Sequence, residues 1–248
     1  MTRIKQMLEG PVGFSTDLSF LPSELSMVRK LIKEQWLQRI EESGAGRAKF
    51  FENLDMDRYH EQCHDLDHKN MWPKCKRILG LDAVKAIRQT SLFKSLEDEF
   101  GSFAISREDG IEEEEVYWRL VRPNEVNDVG PLHADEWFWT LGHGTTPAGH
   151  QRVKVWISIY SEIGKNGFKY VVGSHKIKWR YHGVIEDGLT KPHIDEDEAT
   201  LGAKIFQSQP GQAIVFHDKL LHGGSTGGST TRVSLEFTMF IKDENYFQ

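Results

Sequence analysis

The sequence predicts a mainly β protein, a barrel or sandwich of short strands with helices flanking it. Two patterns predict this. Through residues 1–101 apolar residues recur at three- and four-residue steps, the period of a helix with one buried stripe. From 102 onward the period drops to two, in short runs rich in Val, Ile, Trp and Phe that Gly, Pro and Asn separate. The 248 residues suit a single domain over 1–248, with 1–101 as mostly helical support and 102–242 as the strand-rich core.

Leu25, Val28, Ile32, Trp36 and Ile40 place a helix over 24–40, with Ser23 as its N-cap and Gly44 and Gly46 as its stop. Further helices are expected over 72–79 and 82–100, the latter with Val84, Ile87, Leu92 and Leu96 on one face. A β-branched and aromatic run over 116–122 ends at Pro123, which cannot continue a sheet ladder. Residues 153–160 alternate, with Val153, Val155, Ile157 and Ile159 opposite Lys154, Trp156, Ser158 and Tyr160. Asn166-Gly167 reads as a tight turn into a strand over 168–172. Pro210-Gly211 turns the chain into another over 212–217. The clearest alternation is 232–240, where Val233, Leu235, Phe237 and Met239 oppose Arg232, Ser234, Glu236 and Thr238. The polar stretch 178–202, with Glu186-Asp187 and the acidic residues 195–198, reads as an excursion or lid loop between strands.

A net charge of −6 argues against a general nucleic-acid binder, which needs a basic surplus. No basic start leads into an apolar run, and no stretch approaches the ~18 apolar residues that span a bilayer. Cys63 and Cys75 are too few for a disulfide framework. The expectation is a cytoplasmic protein with free thiols that acts on a small molecule, with neither nucleic acid nor membrane as partner. Oligomeric state is not legible. The terminal residues 244–248 resemble part of a protease-tag remnant and carry no functional weight.

His133-Ala134-Asp135 puts a His and a carboxylate on one side of a strand. His222 follows a strand and precedes Gly223-Gly224, where a ligand or a backbone can approach closely. Two His and one carboxylate leave the opposite face of a metal open, the set that suits non-haem Fe(II) with a co-substrate and dioxygen. Taken singly, His133 and Asp135 also fit a surface turn, and His222 a half-buried loop residue. Arg232 offers a guanidinium fork matched to a carboxylate, and Ser234, two residues on, offers a further donor. From alternation alone the polar face of that strand would meet solvent. Turned inward, it would suit a barrel holding a charged ligand.

These residues stand in order with further motifs: Pro131-Leu132 before the triplet, Val155-Trp156-Ile157, Asn166-Gly167, Gly173-Ser174-His175-Lys176, and Gln209-Pro210-Gly211-Gln212. The set, over about 116–241, resembles the phytanoyl-CoA hydroxylase family of Fe(II)/2-oxoglutarate oxygenases. The resemblance implies a double-stranded β-helix (jelly roll) buttressed by N-terminal helices. It implies His133, Asp135 and His222 as iron ligands, and Arg232 as the anchor of 2-oxoglutarate. Trp156, and less directly Trp118, match positions around the co-substrate. The implied activity is hydroxylation of a C–H bond of a small molecule, anionic ones included, using Fe(II), 2-oxoglutarate and O2 and releasing succinate and CO2. Ala134 stands where the family often has Gln, and Val172 where it often has Pro. Asp135 is present, whereas halogenating relatives lack that carboxylate. A non-redox jelly-roll protein that binds a metal or ligand, and a cupin-like Zn or Mn enzyme, remain the alternatives.

Other clusters have plainer readings beside functional ones. His60, His64 and His68 are four apart, with Cys63 among them, and could line a zinc-binding helix face, but polar helix surface fits as well. Trp137 and Trp139, on a strand, would share Asp135's side as a substrate wall or as core packing around Phe138. His143 and His150 read as loop residues. Lys169, His175, Lys176, Lys178, Arg180 and His182 form a basic run that would be solvated or would attract an anionic substrate. Glu112 through Glu115 read as solvated loop. Ser174-His175 lacks the elbow of a nucleophilic Ser.

Overall fold

The computed structural model describes residues 2–43, 48–107, 114–186 and 188–243. Gly44 and Gly46, Glu112 and Glu113, Asp187 and the terminal 244–248 lie outside the described residues. The N-terminal part carries α1 (Arg3–Glu9), β1 (Phe14–Ser15), α2 (Pro22–Glu42), α3 (Ala48–Glu52), α4 (His68–Met71), α5 (Leu81–Arg88) and α6 (Ser91–Phe100). Then come β2 (Ala104–Ile105), β3 (Tyr117–Val121), α7 (Asp135–Thr140), β4 (His150–Tyr160) and β5 (Phe168–Tyr170). The chain ends with β6 (Tyr181–Glu186), β7 (Leu189–Ile194), β8 (Lys204–Ile205), β9 (Ala213–His217), β10 (His222–Gly224) and β11 (Arg232–Lys242).

α2 buries Val28, Ile32, Trp36 and Ile40, as their spacing predicts. Its start differs from the Ser23 expectation. Leu21 occupies the cap position, Pro22 supplies the first helical residue with its φ already set, and the Glu24 carboxylate accepts the Leu21 N–H at 2.9 Å. The helix expected over 72–79 shrinks to a single 3-10 turn at Lys74–Lys76. Pro73 disfavours helical geometry at Trp72, α4 stops before it, and Ile78 bridges to Tyr117 instead. The expected 82–100 helix splits at Thr90. That hydroxyl donates to Ile87 O at 2.7 Å and accepts the Phe93 N–H at 3.5 Å, capping α6 rather than continuing α5.

Antiparallel pairing orders the large sheet β1-β9-β4-β11-β2, with β3 also on β11. A smaller sheet runs β10-β5-β8. Together they form the jelly roll. Asn166-Gly167 does not close a hairpin, because β4 and β5 lie in different sheets. The tight turn lies earlier, at Gly164, where φ is +70°. Asn166 is a buried brace: its Oδ1 accepts the Glu162 N–H at 2.8 Å and its Nδ2 donates to Thr230 O at 2.9 Å. The 178–202 excursion is no loop. Most of it is the ribbon β6–β7, paired from Tyr181–Ile194 to Glu186–Leu189.

The large sheet is buried on both faces, and the faces differ in chemistry. Val153, Val155 and Ile157 of β4 and Val233, Leu235 and Phe237 of β11 pack with the N-terminal helices around Ile32, Trp36 and Leu96. The opposite face points into the roll. There Arg232, Ser234, Glu236 and Thr238 are all buried, so the polar face of β11 does not meet solvent. Among the described residues no helix is long and apolar enough to cross a membrane.

Candidate metal centre

Backbone pairing brings the distant His residues together. His133 N donates to His222 O at 3.0 Å, His222 N donates to His133 O at 2.9 Å, and the ring centroids lie 4.5 Å apart. On its other edge β10 is held by β5, with His222 opposite Tyr170. Ser174 adds a pin: its Oγ donates to Val171 O at 2.7 Å and accepts the Leu221 N–H at 2.8 Å. This hydroxyl is structural, in line with the absence of a nucleophile elbow.

After His133 the chain leaves the sheet. Ala134 is extended and Asp135 opens α7, so the strand reading of this segment ends at Ala134. The carboxylate reaches the His pair through the turn into a helix rather than through a pleat. α7 is tied down nearby: Glu136 N donates to Asp218 O at 3.1 Å, and Arg152 holds the Asp218 carboxylate through Nε at 3.0 Å and Nη2 at 2.6 Å.

The ligand atoms of His133, Asp135 and His222 lie within 4.8 Å of one another, and no other such group occurs among the described residues. Each ring Nδ1 meets a carbonyl, Pro131 O for His133 and Leu220 O for His222, both at 2.9 Å. A carbonyl only accepts, so each Nδ1 carries the hydrogen and each Nε2 is left with a lone pair. Asp135 Oδ2 is buried with no hydrogen-bond partner and sits 3.4 Å from His222 Nε2. An orphaned carboxylate oxygen facing bare imidazole nitrogens fits a divalent metal.

Electrostatics keeps the donors in metal-binding form. Burial pushes the His133 pKa down to about 3, and neighbouring His222 adds to this against the pull of Asp135. Burial lowers His222 too, again opposed by Asp135. Burial alone would raise Asp135, but Lys154, His222 and His133 bring it below its ordinary value. Lys154 Nζ lies 3.6 Å from Asp135 Oδ1 and donates to Thr238 Oγ1 at 2.9 Å.

On the same inner face Arg232 is 1% exposed. Its Nη1 donates to Gly167 O at 2.7 Å, while its Nε is buried without a partner. Burial lowers its pKa to about 10, which leaves it charged at neutral pH. Gly224 makes room for it, since a Cβ there would stand 2.5 Å from Val129 and 3.1 Å from Arg232 Nη2. Ser234 is placed beside it, but its hydroxyl donates to Glu236 Oε1 at 2.9 Å rather than standing free. Glu236 Oε2 accepts from Tyr117 OH at 3.1 Å. Burial would raise Glu236, and Arg119, Arg232 and Lys154 outweigh it, so the carboxylate stays ionised.

The four Trp residues of the sequence reading have different fates. Trp156 lies inside the roll with Phe168 and Phe216, and both of these Phe rings pack on His222, at 5.2 and 4.7 Å. Trp118 is turned away: it is fully buried on the helix side, donates to Gln35 Oε1 at 2.7 Å and meets Trp72 edge-on. The alternation of β3 sends it there and sends Arg119 inward. Trp137 and Trp139 do not share a strand face with Asp135, because they lie on α7. Trp137 stacks on Tyr181 of β6 at 4.5 Å, and Trp139 packs edge-on to Phe240 beneath Arg152. The ring that touches the site is Phe138, edge-on to His133 at 5.2 Å.

His143 Nε2 donates to Thr190 O at 2.6 Å, tying the loop after α7 to the ribbon. His150 Nδ1 meets Ala148 O locally. His60 and His68 do not converge: His60 bonds Thr231, and His68 faces Asp128 and Tyr59. Half of the basic run faces acids, with Lys169 on Glu198, Arg180 on Glu196 and His182 on Asp195, while His175 and Lys176 bond the carbonyls of Gly10 and Glu9. Sequence reasoning missed Arg119, and did not single out Lys154 and Glu236. The signal was a charged residue in the polar phase of a strand whose other phase is apolar.

A family model for phytanoyl-CoA dioxygenase (PhyH) matches residues 26–232. No curated protein matches the chain in sequence. Among solved structures, a non-heme monooxygenase, ThoJ in its apo form, is similar at 13% identity, covering 96% of this chain and 76% of its own, with a TM-score of 0.59. EctD from S. alaskensis in its apoform is similar at 10% identity, covering 99% of this chain and 80% of its own, with a TM-score of 0.54. Identities this low speak for the shared fold alone. The family match spans most of the sequence, from α2 through the metal-site face to Arg232, and the residues it encloses fit the metal that this family uses. The chain therefore belongs to the phytanoyl-CoA dioxygenase (PhyH) family and is an Fe(II)- and 2-oxoglutarate-dependent oxygenase.

Proposed function

We propose that the protein hydroxylates a C–H bond of a small, charged molecule, releasing succinate and CO2. His133, Asp135 and His222 hold Fe(II), and Arg232 holds the distal carboxylate of 2-oxoglutarate. Bound together with dioxygen, these groups supply an oxidant that no protein side chain provides. The residues supply placement. Neutral His133 and His222 present fixed Nε2 lone pairs, and Asp135 contributes the one negative charge. Arg232 fixes the far end of the co-substrate by a charge-assisted fork. Ser234 joins it only by exchanging Glu236 for the ligand. Trp156, Phe168 and Phe216 form a dry wall behind His222, and Phe138 covers His133.

The observation that carries this reading is the pairing of two unmet needs in one interior. Asp135 Oδ2 is a buried acceptor without a donor, and Arg232 Nε is a buried donor without an acceptor. A metal satisfies the first and a carboxylate the second. The test is succinate release, with Fe(II) and 2-oxoglutarate, across a panel of small molecules. Asp135→Ala is expected to abolish substrate-dependent succinate formation. Normal turnover in that variant would place the metal elsewhere.

A further inference from the structure

β3 alternates Trp118 and Leu120 toward the helices, where both are buried, with Tyr117 and Arg119 toward the interior. Arg119 pairs across the sheet with Ser234 of β11. It therefore stands beside the Arg232 and Ser234 corner and within electrostatic reach of Asp135 at the metal centre. Part of its surface remains open to water. Its side chain makes no hydrogen bond or close ion pair to any described residue. Its nearest carboxylate, Glu236, has both oxygens engaged, by Ser234 and by Tyr117. Arg232 and Arg77 lie close enough to repel it.

The field of Glu236 offsets the burial of this guanidinium and keeps it charged, but its N–H donors meet no acceptor, and buried donors left so are costly unless a ligand completes them. Inward-facing Arg119, Lys154 and Arg232 outweigh Asp135 and Glu236 even before a divalent metal is added. On the outside, Lys169, Arg180 and His182 already face acids of their own, whereas Arg119 brings an uncommitted guanidinium to the interior. We infer that Arg119 is a second oxyanion anchor inside the roll, separate from Arg232, that takes a carboxylate- or phosphate-type group of a bound small molecule. Its planar fork suits such a group. This rests on the reading above only in that Arg232 is already taken by the co-substrate. The oxyanion has two sources. One is the metal-side carboxylate of 2-oxoglutarate, because Arg119 stands opposite Ser234 and within the field of Asp135. The other is an anionic primary substrate.

Calorimetric titration of the Mn(II)-loaded protein, which does not turn over, separates these sources. The probes are 2-oxoglutarate, and then inorganic phosphate on the 2-oxoglutarate-saturated protein. The variants are Arg119→Gln, Arg119→Lys and Arg232→Gln, with melting temperatures as a check on folding. Arg119→Gln is expected to lose at least about tenfold in affinity for one probe, the scale of a charged hydrogen bond, with partial recovery in Arg119→Lys. A loss for 2-oxoglutarate assigns the anchor to the co-substrate; a loss for phosphate alone assigns it to the substrate. If folded Arg119→Gln, or Arg119→Lys where the former does not fold, matches wild type for both probes, the inference is overturned. The co-substrate reading fails separately, if Arg232→Gln binds 2-oxoglutarate as wild type does.

Discussion

His133 and His222 are direct cross-strand partners that exchange both backbone hydrogen bonds, at 3.0 and 2.9 Å. The juxtaposition of the two candidate ligands is thus set by main-chain geometry, and side-chain rotamers add only the last ångströms. Ser174 matters for the same reason, since it holds the residue before His222. Ser174→Ala leaves the Leu221 N–H buried and unpaired, which is expected to cost about 1–3 kcal/mol of stability. Metal affinity is expected to fall roughly tenfold, as for other groups that orient ligands. Thermal melts and a metal-binding titration check both numbers.

Trp118 and Trp156 separate stability from binding. Trp118→Phe removes the 2.7 Å bond to Gln35 in the helix-side core, so it is expected to lower stability by about 1–3 kcal/mol and leave 2-oxoglutarate affinity unchanged. Trp156→Ala opens the wall beside Phe168 and is expected to weaken 2-oxoglutarate binding in addition to stability. Paired melts and binding titrations distinguish the two positions. Equal effects on binding would contradict the opposite facing of these rings.

Glu236 occupies the Ser234 hydroxyl, and its charge would repel a dianionic co-substrate held by Arg232 as proposed. Glu236→Gln keeps an acceptor for Ser234 while removing the charge. A unit charge a few ångströms away at intermediate dielectric is worth about 1 kcal/mol or more, so the dissociation constant for 2-oxoglutarate is expected to fall about fivefold. Weaker binding in this variant would show that Glu236 acts chiefly by holding Arg119 and Arg232 in place.

Stability of the metal-free protein should depend on pH in a defined direction. Burial holds the folded His133 at about 3 against an ordinary value of 6.5, and lowers His222 as well. Between those values the unfolded chain binds protons that the folded chain refuses, so stability falls as pH drops through that range. The slope of melting temperature against pH below 6.5 is expected to be shallower in His133→Gln. An unchanged slope would mean that other groups carry the acid sensitivity.

Much of this was legible in the sequence because periodicity reports burial. The stripe of α2 and the two-faced β4 and β11 follow from spacing. His133, Asp135 and His222 stand out by residue type and motif order, and Asp135 meets the His pair through the turn into α7 rather than through the strand spacing expected of it. Legibility ended where a local signal competed with a tertiary one. Thr90 divides a helix that its apolar spacing would continue. Trp137 and Trp139 read as strand because Asp135 does, yet the chain turns into α7 right at Asp135. The inward side of Arg232 could not be read from alternation, which gives two faces without saying which is inside. The helices on the apolar face decide it. Arg119 went unnoticed because one charged residue in a short strand looks like an exposed one.

Anaerobic addition of 2-oxoglutarate to the Fe(II)-loaded protein tests the central claim most directly. An iron–keto-acid chelate absorbs weakly in the visible, and it forms only when metal and co-substrate share one open site. The band is expected in the wild type and absent in His222→Ala. In Arg232→Ala it is expected to need roughly 100-fold more 2-oxoglutarate, since a buried charge pair is lost. A full band in His222→Ala, or an unchanged requirement in Arg232→Ala, would contradict the site described.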